Sequence, residues 1–169
     1  MKPRVLAAVI ALMPLASGPA IAEAPNHRAQ LLTVNACERC DLSGADLSGL
    51  ILLGTNLRGA NLRGANLRNT YLVASDLEQA DLEGANLTAA YLYGSNLRGS
   101  KLMGATLVLA SLRSVTLIGA NLREADLSGV DLSLANLREA NLENAKLQDA
   151  NLEDTNLEDT NLQGTGYQP

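Results

Sequence analysis

With 169 residues, the chain has room for one domain of ordinary size. It contains 14 Gly and 4 Tyr but no Phe or Trp, which excludes an irregular core filled by aromatic bulk and leaves a narrow, repetitive interior lined by one side-chain size. The formal net charge is −5, and −7 once residues 1–22 are set aside (11 basic against 18 acidic side chains), which speaks against binding nucleic acid or an anionic membrane by ordinary electrostatics.

The first 22 residues have the three parts of a secretory signal. Lys2 and Arg4 supply a positive start, Val5 to Leu15 an apolar stretch, and Ala20-Ile21-Ala22 a small-x-small cleavage site before Glu23. The apolar stretch is shorter than the roughly 20 residues that span a bilayer, so cleavage would leave a mature protein with no membrane segment. There is no twin-arginine pair and no cysteine beside the cleavage site to carry a lipid. Residues 23–40 then form an N-terminal cap. Within it, residues 26–36 are expected to make a short helix with Asn26 as N-cap and Leu31, Leu32 and Val34 facing the next element; an extended cap is the alternative.

From residue 41 to 165 the chain repeats every five residues. Leucine recurs at each fifth position from Leu42 to Leu162, 25 times without a miss. A small residue stands two positions before each leucine (Ala45, Ala60, Ala65), and Asn or Asp mostly stands one before (Asp46, Asn61, Asn66). Gly recurs two after (Gly44, Gly49, Gly54). Five residues turn an α-helix through about 500°, and on a strand they alternate faces, so neither element keeps the leucines on one side. Leucine points inward each time only if the chain turns a corner in every repeat, with Gly, Asn and Asp supplying the unusual backbone angles.

Charge selects the number of sides. In the column just after the leucines, a spacing of 20 pairs Arg58 with Glu78, Glu78 with Arg98, Arg63 with Glu83, Arg123 with Glu143 and Arg138 with Glu158. All are opposite in sign, as stacked neighbours require, whereas spacings of 15 and 25 each bring like charges together. Four pentapeptides therefore close one coil. About six coils at the ~4.8 Å spacing of paired strands make a rod roughly 30 Å long.

The motif in Ala60-Asn61-Leu62-Arg63-Gly64 and Ala65-Asn66-Leu67-Arg68-Asn69 resembles the pentapeptide-repeat family. That resemblance implies an all-β fold, a quadrilateral, right-handed parallel β-helix. The stretch from Leu31-Leu32 through Cys37 and Cys40 to Leu47 is similar to the N-terminal signature of exported cyanobacterial members, which implies a periplasmic or thylakoid-lumen location.

Cys37 falls on a leucine register position and Cys40 on a small-residue position, so both lie against the core wall where the cap joins the coils. In an exported protein, a local disulfide pinning the cap is the favoured reading. Redox activity would call for a helix N-terminus, and a metal site for more ligands than the single histidine, His27, can supply. At the other end, residues 166–169 form a tail in which Tyr167 either folds over the last coil or leaves it open to self-association.

No catalytic constellation is present, and no cofactor is implied: Asp76 and Asp81 occupy the ordinary Asn/Asp position, and His27 lies in the cap. One face does break the polar pattern over three turns. Ile51, Tyr71 and Tyr91 stand before the leucine, and Leu53, Val73 and Tyr93 after it, three of the four tyrosines among them. This apolar patch points to an exported interaction module that binds a protein partner or a second copy, the alternative being that cap residues cover it or that its rings only stiffen the stack. The family resemblance suggests a second reading, a mimic of duplex DNA that modulates a gyrase-type topoisomerase. Export and the interleaved arginines weigh against it, and only the last coils are strongly acidic, from Glu139 to Asp159.

Overall fold

The structure, a computed structural model, describes residues 26–167. The signal peptide expected over 1–22 and the last two tail residues lie outside the described residues.

The chain opens with helix α1 (His27–Val34), started by Asn26, whose Oδ1 accepts from the Ala29 backbone N–H at 3.0 Å. Asn35 ends it in the left-handed conformation, and its own N–H returns to the Leu31 carbonyl. Leu31 is fully buried and plugs the N-terminal end of the core. Leu32 and Val34, expected to face the first coil as well, are instead exposed. A helix of two turns lying across one end of a rod presents only one narrow stripe to it, and Leu31 occupies that stripe.

From Ala36 onward every backbone bridge is parallel and joins residue i to residue i+20, from Ala36↔Asn56 to Asn141↔Asn161. Four pentapeptides thus make one coil, as the charge spacing requires. The register starts one pentapeptide before the expected boundary at residue 41, with Cys37 in the leucine position donating its N–H to the Asn56 carbonyl. In all the leucine repeats but one, the leucine carbonyl accepts from the N–H three residues on, as in Ala45 to Leu42 at 3.0 Å, closing a turn; at Leu52 the Ser75 hydroxyl stands between, accepting the Thr55 N–H and donating to the Leu52 carbonyl.

The corner residue is the second after each leucine. All 25 such positions from Gly44 to Gly164 have positive φ, and more than half are not glycine; Ala74, Ala89, Leu109 and Glu124 are examples. Gly64 shows the simple case, with φ +62° and open space where a Cβ would project. The Asn and Asp before the leucine do a different job from the one expected. They stay out of the left-handed region, and their side-chain oxygen accepts the N–H two residues on, as Asn56 does from Arg58 at 3.1 Å. Many also bond rung to rung, Asn61 Nδ2 donating to Asp41 Oδ1 at 3.0 Å.

The leucines from Leu42 to Leu142 form one buried column with the small residues beside them. Where that small residue is Ser or Thr, its hydroxyl is hydrogen-bonded, to backbone as when Ser75 Oγ donates to the Leu52 carbonyl at 2.8 Å, or, for Thr55, to Asn35 Oδ1. Each buried leucine contributes on the order of 1.5–3 kcal/mol. The surface rungs are partly rearranged. Arg58, Arg63 and Arg123 reach Glu78, Glu83 and Glu143 one coil on, but Arg138 pairs with the adjacent Glu139 rather than with Glu158. Glu78 is held by Arg58 and by Asn96 Nδ2 in place of Arg98. An exposed guanidinium takes the nearest carboxylate, since little energy separates the choices.

Leu97→Asp should therefore unfold the chain or lower its melting temperature far more than Arg98→Ala, because it buries an unpaired charge in the column. Equal melting temperatures would contradict the inward and outward assignment. Cys37 and Cys40 form a disulfide with Cα atoms 5.2 Å apart. Reducing it should raise hydrogen exchange in α1 while the coils beyond Leu62 stay protected, since the closed loop is short and those coils bond only to one another. Uniform deprotection of the whole rod on reduction would show that the cap nucleates the stack.

Candidate functional site

The six residues singled out by pattern do converge. Ile51 bridges to Tyr71 and Tyr71 to Tyr91, so the three occupy successive rungs of one column. Leu53, Val73 and Tyr93 stand beside them on the other side of the leucine row. Ile51 is 72% exposed, Leu53 and Tyr93 51%, and Tyr71 and Tyr91 41%, while Val73 is half-buried. The Tyr71 and Tyr91 rings stack with centroids 4.5 Å apart and planes 9° from parallel. Helix α1 does not cover this surface.

The patch has a local cost. In most other repeats an Asn or Asp stands before the leucine and can brace the turn, as when Arg58 and Arg63 each give their N–H to a side-chain oxygen. Ile51, Tyr71 and Tyr91 have no such oxygen, and three consecutive turns on one face lose a bond worth about 1 kcal/mol each. Stacking between the two rings offsets part of that.

Its borders are defined. Beyond Tyr91 the column continues with Ser111 and Asp131, and Arg113 donates to Ser133 Oγ at 3.3 Å in the neighbouring column. Toward the cap, Asn35 Nδ2 donates to the Leu53 carbonyl and Asn35 Oδ1 accepts from Thr55 Oγ1. Asn35 thus sets the end of α1 beside Leu53, and Val34, the residue before it, is exposed. Sequence pattern missed the exposure of Val34 because a helix this short lets an apolar residue point either way; only its packing against the rod decides.

The remaining faces are polar and braced. Arg58 lies on both Asp76 and Glu78, and Lys146 on Asp126 at 3.0 Å. Among the described residues, no group of three His, Cys, Asp or Glu is placed to hold a metal ion, and no helix is long and apolar enough to cross a membrane. The surface depressions are lined by charged rungs such as Arg39, Arg58 and Glu78, or Arg113, Glu153 and Asp154.

Eight copies of the pentapeptide-repeat family model match residues 40–79, 70–107, 104–133 and 135–165. The chain belongs to the pentapeptide repeat family. With membership comes the family's right-handed β-helix. No curated protein matches the chain. Among solved structures, it is similar to a pentapeptide repeat protein of the Arabidopsis thaliana thylakoid lumen, with 40% identity over 50% of this chain and a TM-score of 0.49. The match spans 59% of that protein's length, less than two thirds. It is also similar to QnrB1, a plasmid-mediated fluoroquinolone resistance protein, at 25% identity over 75% of this chain and 76% of that one, TM-score 0.47. A pentapeptide repeat protein from the cyanobacterium Cyanothece is 27% identical over 80% of this chain and 92% of its own, TM-score 0.30.

Several braced carboxylates of this pentapeptide repeat protein titrate below the usual range. The Ser48 hydroxyl and N–H hold the Asp46 carboxyl down. The Ser128 hydroxyl, with Lys146 beside it, does the same for Asp126. A carboxyl whose folded value is depressed contributes stability that is complete above the unfolded value, near 3.9, and is lost as pH falls through the folded one. Thermal melts should therefore be flat from neutral pH down to about 5 and fall steeply below about 4. Asp126→Asn should weaken that acid sensitivity. Stability that holds or rises on acidification would contradict the assignment.

Proposed function

We propose that this protein is an exported, non-enzymatic interaction module, a four-sided right-handed rod that binds a protein partner or a second copy through the face carrying Ile51, Leu53, Tyr71, Val73, Tyr91 and Tyr93. One observation carries the reading: three successive rungs replace turn-bracing Asn or Asp by exposed apolar and aromatic side chains, Tyr71 and Tyr91 being stacked on a rigid backbone. Pre-ordered tyrosines lose little entropy on contact and are favoured at the centres of interfaces. Export is supported by the n-region, apolar stretch and cleavage site of residues 1–22, and by a disulfide suited to an oxidising compartment, periplasm or thylakoid lumen. Mimicry of DNA has less support, because Arg58, Arg63 and Arg123 neutralise the carboxylates of the middle coils.

The test replaces Tyr71 and Tyr91 by Asn, the residue the repeat itself prefers there, and Tyr93 by Ser. Circular dichroism should show an intact β-helix with equal or higher stability, since two turn braces are restored. Mature protein recovered from the exported compartment should begin at Glu23, and the triple variant should lose the partner captured by wild type or its dimer in sedimentation. A variant that keeps every partner and the same oligomeric state would make the patch structural.

A further inference from the structure

The arginines of the leucine repeats fall into two sets. Arg58, Arg63, Arg123 and Arg138 each hold a carboxylate. Arg68, Arg98 and Arg113 are exposed, and among the described residues none of them reaches a carboxylate within ion-pair distance. The sequence is unbalanced in the same region: from Gly84 to Arg123, a stretch that includes Tyr91 and Tyr93, there is no Asp or Glu.

Two of these arginines border the tyrosine face. Arg113 stands on the rung after Tyr93 in the same column, since the Tyr93 carbonyl accepts from Ala74 and the Arg113 carbonyl from Gly94. Its Nη1 donates to Ser133 Oγ at 3.3 Å, and Asp131 on the next rung attracts it from beyond ion-pair distance. Arg68 lies across the leucine row, three residues before Tyr71 and round the corner made by Asn69. Its neighbours in its own column are Ser48 and Thr88, as the Gly49 N–H on Arg68 O and the Asn69 N–H on Thr88 O require, so no carboxylate there opposes its charge. Arg68 and Arg113 thus flank the face on opposite sides, two rungs apart, which is about 10 Å at the ~4.8 Å spacing of paired strands.

We propose that the tyrosine face takes an extended apolar segment of a partner protein carrying two carboxylates three residues apart. This rests on the reading above of that face as an interface, and adds the chemistry of what binds there. Three residues of extended chain span about 10 Å and place their two side chains on opposite sides, which is the arrangement of the two guanidinium groups. The apolar residues around them cover Tyr71, Tyr91 and Tyr93. The columns run along the rod without a corner, so a straight segment can follow them. Beyond residue 22 the chain has 11 basic and 18 acidic side chains and repels such a segment elsewhere, so the unpaired arginines also direct it to this face. A second copy suits the face less well. Three rungs are about 14 Å tall and the two columns about 7 Å apart, far short of the ~800 Å² per partner that a stable dimer buries.

The experiment titrates the purified protein with the acetylated hexapeptide Val-Val-Glu-Val-Val-Glu and follows the amide resonances of Tyr71, Val73, Tyr91 and Tyr93. Those resonances should shift, and the effect should weaken as salt is added. Val-Val-Lys-Val-Val-Lys should leave them unmoved, and Val-Val-Glu-Val-Glu-Val, whose carboxylates fall on one side, should bind more weakly. The R68Q/R113Q variant, checked for an unchanged circular dichroism spectrum, should bind the first peptide about fivefold more weakly, as the loss of two exposed ion pairs allows. The proposal is overturned if the acidic peptide leaves the tyrosine amides unmoved, if all three peptides bind alike, or if R68Q/R113Q binds as wild type does. A protein that sediments as a dimer with those amides protected before any peptide is added assigns the face to a second copy and overturns it too. The triple tyrosine variant above tests the interface independently, so failure of the acidic partner and failure of the interface are told apart.

Discussion

Every fifth residue of this protein turns the backbone through the left-handed region, and the rest of the structure depends on that turn being made each time. It keeps successive leucines on the inside, and it brings residue i+20 beneath residue i. Glycine makes the turn freely. Where Ala74, Leu109 or Leu134 make it instead, each carries a cost on the order of 1–2 kcal/mol. The coil tolerates this because neighbouring repeats over-determine the corner: a closed turn within the repeat, backbone bonds to the neighbouring coils and, in the Leu134 repeat, a side-chain brace from Asp131.

That redundancy explains how one face can depart from the motif. The Tyr71 and Tyr91 turns still close through Ser75 N–H to Leu72 O and Ser95 N–H to Leu92 O, and the Ile51 turn is held by backbone bonds to the next coil with Thr55 N–H on Ser75 Oγ, so the three side chains can be displayed without losing the fold. The rungs place Tyr71 and Tyr91 in one column with their rings stacked. A surface of this kind suits recognition better than chemistry, which needs convergent groups in a recess.

The ends follow from the same bonding pattern. In a parallel stack all coils point the same way, so one end is rich in acceptors and the other in donors. Helix α1 and its C-cap answer the first with a buried leucine and donor side chains from Arg28 and Asn35, while His27 Nδ1 accepts the Asp41 N–H. The last described coil is ringed by the acidic side chains Asp149, Glu153, Asp154, Glu158 and Asp159.

The amino-acid sequence by itself determined the period, the inward column, the four repeats per coil, the Asn26 cap and the pairing of Tyr71 with Tyr91. All but the cap follow from a repeat that admits only one register; the cap follows from an Asn standing before a short helical stretch. Tertiary structure alone decided which way Leu32 and Val34 face, because a two-turn helix has no fixed orientation until it meets the rod. It also decided that the corner belongs to the residue two after the leucine even when that residue is Leu109 or Glu124, since propensity is overridden where the chain must close. The choice of Glu139 over Glu158 by Arg138 was beyond sequence for a third reason: competing exposed ion pairs differ by less than the energy that spacing rules can resolve.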